Sequence, residues 1–206
     1  KRETKMNYHF KLLMTAGVLA ASLGIQTVQA AKTSMTIALQ LEPPHLDPTS
    51  AAAGAIDSVL YSNVFEGLTR FASDGAVIPG LAKSWEISDD GTEYIFQLNS
   101  GVTFHDGSTM DANDVKFSLD RARSEDSTNA QKALFSGIKN IEVLTNDKVK
   151  VTLASPNGSF LFNMAWGDAV IVAPETVDGI KTNPIGTGAF KFSNWVQGDK
   201  IELLRN

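Results

Sequence analysis

Residues Ser84–Leu98, SWEISDDGTEYIFQL, decide the fold class. Trp85 and Ile87 alternate with polar residues on one arm, Tyr94, Phe96 and Leu98 do so on the other, and Asp89-Asp90-Gly91 between them is turn chemistry. That combination predicts a β-hairpin. Downstream, Asp111 followed three residues later by Asp114 predicts a capped helix over Ala112–Arg123, with Val115, Phe117 and Leu119 among its apolar positions. Two more hairpins are expected: Ile138–Leu144 with Lys148–Leu153 around Thr145-Asn146-Asp147, and Ala189–Val196 with Lys200–Leu204 around Gln197-Gly198-Asp199. Upstream, Met35–Leu41 (MTIALQL) reads as a first strand stopped by Pro43-Pro44. Ile56, Val59, Leu60, Val64 and Leu68 recur at helical spacing and predict a helix from Ala55 to Leu68, with Asp57 in its first turn, where a carboxylate suits the helix dipole. Strands of five to eight residues mixed with fewer helices give an α/β class with mixed α+β subdomains.

The chain has 206 residues, 43% hydrophobic and 20% charged, with a net charge of −5, which fits one or two globular domains. It carries no basic run, so neither nucleic acid nor anionic lipid is an expected partner. The absence of cysteine excludes a disulfide scaffold, a Cys-ligated metal, a thiol nucleophile and a lipidated cysteine. Lys1, Arg2, Lys5 and Lys11 precede an uncharged stretch from Leu12 to Val28 that ends at Val28-Gln29-Ala30, a small-x-small cleavage site. Residues 1–30 are therefore expected to be a signal peptide cleaved after Ala30, the apolar stretch being short for a membrane span. The remaining 176 residues would carry a net charge of −8. No internal repeat or linker divides residues 31–206, and the last strand stops two residues before Asn206 with nothing to cover its edge, so the chain is expected to be incomplete.

Catalytic constellations are sparse. The only histidines are His9, His45 and His105, and His9 leaves with the signal peptide, so a three-histidine metal site is not expected. His105-Asp106 beside Ser108 has the residue types of a triad, but three near-neighbours in a Gly-containing turn do not converge as a triad does, and no G-x-S-x-G elbow is present. Hydrogen bonding within the turn before the capped helix is the expected role of His105 and Asp106. Gly186-Thr187-Gly188 lacks the third glycine and the strand-to-helix context of a phosphate loop, so a structural turn or hinge is expected. Trp85 and Trp195 sit in predicted strands and read as core, whereas Trp166, between apolar runs, either faces a cleft or packs inside.

An ordered set of segments resembles the family 5 extracellular solute-binding proteins. They are Leu41-Glu42-Pro43-Pro44-His45-Leu46-Asp47-Pro48, Val64-Phe65-Glu66-Gly67-Leu68-Thr69, Pro79-Gly80-Leu81-Ala82-Lys83-Ser84-Trp85-Glu86, Ser88 through Leu98, Gly101-Val102-Thr103-Phe104-His105-Asp106-Gly107, Asp111 through Ser118, and Pro184 through Phe192. The resemblance implies a type II periplasmic-binding-protein fold, of which residues 31–206 would form an incomplete first lobe, truncated before the second. It implies a periplasmic, non-enzymatic and monomeric protein that takes no cofactor or metal and binds a small solute, expected to be a peptide, for the membrane subunits of an ABC importer. The first-lobe side of the cleft would be lined by Ala52, Ala53, Gly54 and Ala55, whose lack of large side chains permits close backbone approach, and by Trp166, Gly167 and Asp168. Asn99 stands where the family usually carries a basic residue. Three alternatives stay open: a binder of nickel or another non-peptide solute, a secreted hydrolase, and a truncated, non-functional remnant.

Overall fold

The computed structural model describes residues 33–50 and 52–206; the expected signal peptide lies outside them. The chain divides into a unit ending at Ala38 and a unit running from Leu39 to Asn206. In the first, residues 33–38 are irregular, with Met35 and Ile37 exposed. In the second, Leu39 and Leu41 are exposed and belong to no strand. The expected strand at Met35–Leu41 is thus not found: a strand needs a neighbour for its ladder of N–H and C=O groups, and no described segment supplies one.

The second unit is built on a four-stranded antiparallel sheet in the order β3-β4-β6-β5, formed by β3 (Ala82–Ile87), β4 (Glu93–Leu98), β5 (Ile138–Thr145) and β6 (Lys148–Leu153). Register places Trp85 opposite Phe96, Phe96 opposite Val149, and Tyr94 opposite Val151. The two-residue period then sends Tyr94, Phe96 and Leu98 of β4 and Val149, Val151 and Leu153 of β6 to one buried face. Lys150 on the opposite face lies 3.0 Å from Glu142. The expected hairpin is present and Phe96 is fully buried as expected, but Trp85 is only half-buried and Ile87 exposed, because β3 is an edge strand.

Helix α2 (Ala112–Arg123) covers the buried face with Val115, Leu119 and Ala122, joined in one core by Phe104, Phe135 and Phe160. Each ring buried this completely contributes about 1.5–3 kcal/mol. The Asp111 side chain accepts the Asn113 N–H at 2.7 Å, and Asp114 reaches back to the Asp111 N–H at 2.8 Å. That reciprocal cap satisfies two donors the first turn would otherwise leave open.

A second core gathers Leu46, Ile56, Val59, Leu60, Val64, Phe65, Val170 and Val172, with Phe117 of α2 packed against it. Phe192, Trp195, Ile201 and Leu203 of the β7 (Phe190–Val196) and β8 (Lys200–Arg205) hairpin also pack there. Glu42 clasps this hairpin, its carboxylate accepting the Trp195 indole N–H and the Gly198 N–H at 2.8 Å. Asp47, 1% exposed, accepts the Thr49 N–H and lies 3.4 Å from the Arg121 guanidinium, which also reaches Thr49 Oγ1. The segment entering the Ala52–Ala55 loop is thereby tied to α2.

Helix α1 spans only Gly54–Leu60, shorter than expected. Ser62 adopts a left-handed conformation (φ 58°), Asn63 Nδ2 donates to the Val59 carbonyl, and the N–H groups of Asn63, Val64 and Phe65 all turn back to Leu60. Val64 and Leu68 are still buried, reached by this turn and by a small hairpin of β1 (Thr69–Phe71) and β2 (Val77–Pro79) rather than by continued helix. No helix of the described residues is long and apolar enough to cross a membrane.

Candidate functional site

Helix α1 opens without a side-chain cap. Ala53 is the N-cap, in extended conformation, Ala52 and Gly54 are exposed, and Ala53 and Ala55 are half-buried. A Cβ on Gly54 would meet nothing within 4 Å, so this edge offers bare backbone to a neighbour. Asp57, in the first turn, is half-buried.

The Trp166 loop follows α3 (Phe160–Asn163), with Gly167–Ala169 forming a 3₁₀ turn. Its backbone is held from several sides. Tyr61 Oη donates to the Ala165 carbonyl, Thr69 Oγ1 to the Leu161 carbonyl at 2.8 Å, and the buried Asn129 amide to the Asp168 carbonyl at 2.9 Å. Met164 and Ala165 are buried, whereas Trp166 is 40% exposed. Phe162, 43% exposed, meets the Trp166 ring edge-on at 6.2 Å and the Phe71 ring at 4.9 Å. Trp166 therefore faces outward, on an aromatic surface, instead of filling the core.

The two expected loops meet at Gly167. A Cβ there would sit 2.3 Å from Asp57 Oδ1, so only glycine lets the α1 carboxylate lie against this turn. Asp168 is 7% exposed. Burial, and after it the negative charge of Asp57, pushes its carboxyl up to about 6. Burial also raises the Asp57 carboxyl. Among the described residues no donor from another residue reaches the Asp168 carboxylate, and neither Asp57 nor Asp168 has a Lys or Arg ion-pair partner. Every fully enclosed side-chain polar atom of the described residues has a hydrogen-bond partner, and the Asp168 carboxylate takes a hydrogen bond from its own backbone N–H.

Ala52, Ala53, Gly54, Ala55, Trp166, Gly167 and Asp168 are thus brought to one region through the contact between Asp57 and Gly167. Asp57, Tyr61 and Phe162 belong to the same region and were not among the expected site residues. Asp57 and Tyr61 stand four apart, as do Phe162 and Trp166, a spacing that puts each pair on one helical face. That pairing was the one available signal.

The other motifs resolve as structure. Asp106 Oδ1 accepts both the N–H and the hydroxyl of Ser108, as expected of a turn. His105 reaches farther than its own turn, with Nε2 2.9 Å from the Gly188 carbonyl and Nδ1 3.3 Å from the Gly186 nitrogen. Ser108 and His105 are therefore committed elsewhere than to each other, and the triad arrangement is not formed. Gly186 and Gly188 press against Val64 and Asn63, where a Cβ would fall 2.0 and 2.3 Å from their carbonyl oxygens. A concavity of about 300 Å³ near Thr49, Arg121, Ser124 and Asp126, and another of about 490 Å³ near Phe192, Asn194 and Trp195, involve none of the loop residues above.

The model of the bacterial extracellular solute-binding proteins, family 5, matches residues 76–206. The glutathione-binding protein GsiB of Pectobacterium atrosepticum is 35% identical over 202 residues, which is 96% of this chain and 39% of that protein. Among solved structures, AgaA of A. tumefaciens R10 in complex with agropinic acid superimposes with a TM-score of 0.75 at 32% identity, covering 80% of this chain and 34% of that one. NikZ of Campylobacter jejuni in complex with Ni(L-His) gives 0.72 at 32% identity, covering 81% and 34%. The chain spans about 39% of the length of the curated relative.

Proposed function

Because the chain belongs to the family 5 bacterial extracellular solute-binding proteins and has their mixed α/β periplasmic-binding-protein fold, we propose that it supplies part of the solute-binding component of an ABC importer for small peptides. Residues 31–206 would form part of the first lobe, exported to the periplasm after cleavage behind Ala30, with membrane subunits of the importer as partner. Ala52–Ala55 and Trp166–Asp168 would be the cleft surface of this lobe.

The observation that carries this reading is the joining of those two loops, through Asp57 against Gly167 and Tyr61 on Ala165, beneath an exposed tryptophan. A bare backbone edge beside an aromatic surface suits an extended, polar-backboned solute, which wants hydrogen-bond partners along its length and apolar contact for side chains. The glutathione-binding relative favours a peptide, glutathione being a tripeptide. A nickel chelate or another non-peptide solute is the second reading, favoured by the likeness to the complexes with Ni(L-His) and agropinic acid.

Binding by a two-lobed receptor draws on contacts from both sides. Halving the interactions of a micromolar binder, about −8 kcal/mol, leaves about −4 kcal/mol, which is millimolar. The test is NMR titration of the chain with glutathione, alanyl peptides, nickel–histidine and agropinic acid, followed at the Trp166 indole. Millimolar, saturable shifts with the peptides support the reading. Response to nickel–histidine or agropinic acid with none to peptides overturns it in favour of the second.

A further inference from the structure

Asn157-Gly158 is the one Asn-Gly pair in the sequence, and it lies in the turn between β6 and α3 with Gly158 and Ser159 exposed. Asparagine is thermolabile, most of all where the next backbone nitrogen can reach its side-chain carbonyl carbon, and glycine leaves that path open because it has no side chain. The Ser159 N–H donates to Asn157 Oδ1 at 3.0 Å, closing a ring that folds the amide back over the Gly158 nitrogen. The same hydrogen bond polarises the amide and stands where negative charge develops on its oxygen during attack. Among the described residues, neither the Gly158 N–H nor Asn157 Nδ2 donates to any other group. The four Asp-Gly turns differ. Gly75, Gly91, Gly107 and Gly179 donate their N–H groups to the carbonyls of Ala72, Ser88, Phe104 and Thr176 at 2.8–3.1 Å, which ties up each nitrogen.

We propose that Asn157 is a modification site, at which the folded turn promotes spontaneous deamidation. The Gly158 nitrogen gives its proton to a solvent base, and its electron pair forms a bond to Asn157 Cγ. The Cγ–Nδ2 bond then breaks, and Nδ2 takes up a proton from solvent and leaves as ammonia. Attack from within the turn needs no bimolecular encounter. Water opens the resulting succinimide by adding to either carbonyl, which leaves aspartate or isoaspartate at position 157. Both products add a negative charge, and isoaspartate also reroutes the main chain through the former side chain. The carbonyl it converts to a pendant carboxylate is the one that accepts the Phe160 N–H at 3.0 Å and the Tyr94 hydroxyl at 3.2 Å. Phe160 is 1% exposed, with its ring 4.7 Å from that of Tyr94. The rearrangement therefore loosens α3 from β4 at the start of the segment that leads to Trp166.

The test ages the full chain at mildly alkaline pH, either folded or unfolded in guanidinium chloride, and follows ammonia release and peptide masses. The folded chain should gain about one mass unit on the peptide that holds Asn157, at least as fast as the unfolded chain does. Slower reaction in the folded chain overturns the proposal, because the turn would then protect Asn157 instead of promoting attack. Gly158→Ala adds a Cβ that would meet nothing within 4 Å, so it should fold as wild type and deamidate at least about tenfold more slowly. An unchanged rate in that variant would show that the Gly158 nitrogen is not the attacking group. The isoaspartyl form, separated by chromatography, should unfold at a lower urea concentration than the fresh chain. Equal midpoints overturn the link from this turn to the packing of Phe160.

Discussion

His105 Nε2 lies 2.9 Å from the carbonyl oxygen of Gly188. A carbonyl cannot donate, so Nε2 carries the hydrogen; the Gly186 N–H points at Nδ1, which is therefore bare. One neutral tautomer is selected, and it ties the turn before α2 to the segment that feeds β7.

That bridge makes stability depend on pH. Burial holds the His105 imidazole below its usual 6.5, outweighing the bond to Gly188, which acts the other way. A depressed pKa means the unfolded chain takes the proton first. The stabilisation is fully present above pH 6.5 and is lost as pH falls below it through the folded value. Urea unfolding of His105→Gln should show a shallower loss of stability than wild type between pH 7.5 and 5. An unchanged slope would contradict the assignment.

Asp168 acts with the opposite sign. Its carboxyl rises from 3.8 to about 6, so its protonated form contributes stability below pH 3.8 that is lost as pH climbs through about 6. At neutral pH the charged group costs about 3 kcal/mol in the limit of full burial. Asp168→Asn should gain about 1–3 kcal/mol relative to wild type between pH 5 and 7.5 in the same assay. The two residues oppose each other near pH 6, so only the single variants separate them.

The α2 cap offers a local test. Asp111→Ala removes the acceptor of the Asn113 N–H and should lower stability by about 1 kcal/mol, whereas Asp111→Asn should recover most of it. Equal losses in both variants would mean that the charge, rather than the cap, matters.

Export is tested by fractionation and N-terminal sequencing. The charged-then-uncharged segment before Val28-Gln29-Ala30 should yield a periplasmic product beginning at Ala31. An uncleaved, membrane-bound product would overturn that expectation.

What could be read from the residues alone follows from how local each determinant is. The Asp89-Asp90-Gly91 hairpin and the Asp111–Asp114 cap depend on neighbours a few positions away, and both are present. The end of α1 depends on Ser62 and Asn63 folding back onto Val59 and Leu60, a turn that helical spacing of Val64 and Leu68 disguises. Met35–Leu41 has the alternation of a strand, but alternation does not say which segment pairs with it. The importance of Asp57 was invisible for the same reason, since its partner Gly167 lies 110 positions on and only the tertiary contact connects them.

The pairing of β4 with β6 has a consequence for synthesis. Gln97 meets Lys148, so about fifty residues must emerge after β4 before its second neighbour exists. At ribosomal rates that interval is roughly 3–10 s, far longer than the microseconds a hairpin needs to form. During it, the β3–β4 ribbon has an unguarded edge and an uncovered ring at Phe96, the kind of surface that recruits other chains. Holding such a ribbon apart until Val149 and Val151 arrive is a task for a chaperone, and the nascent chain should be most vulnerable to aggregation between the completion of β4 and that of β6.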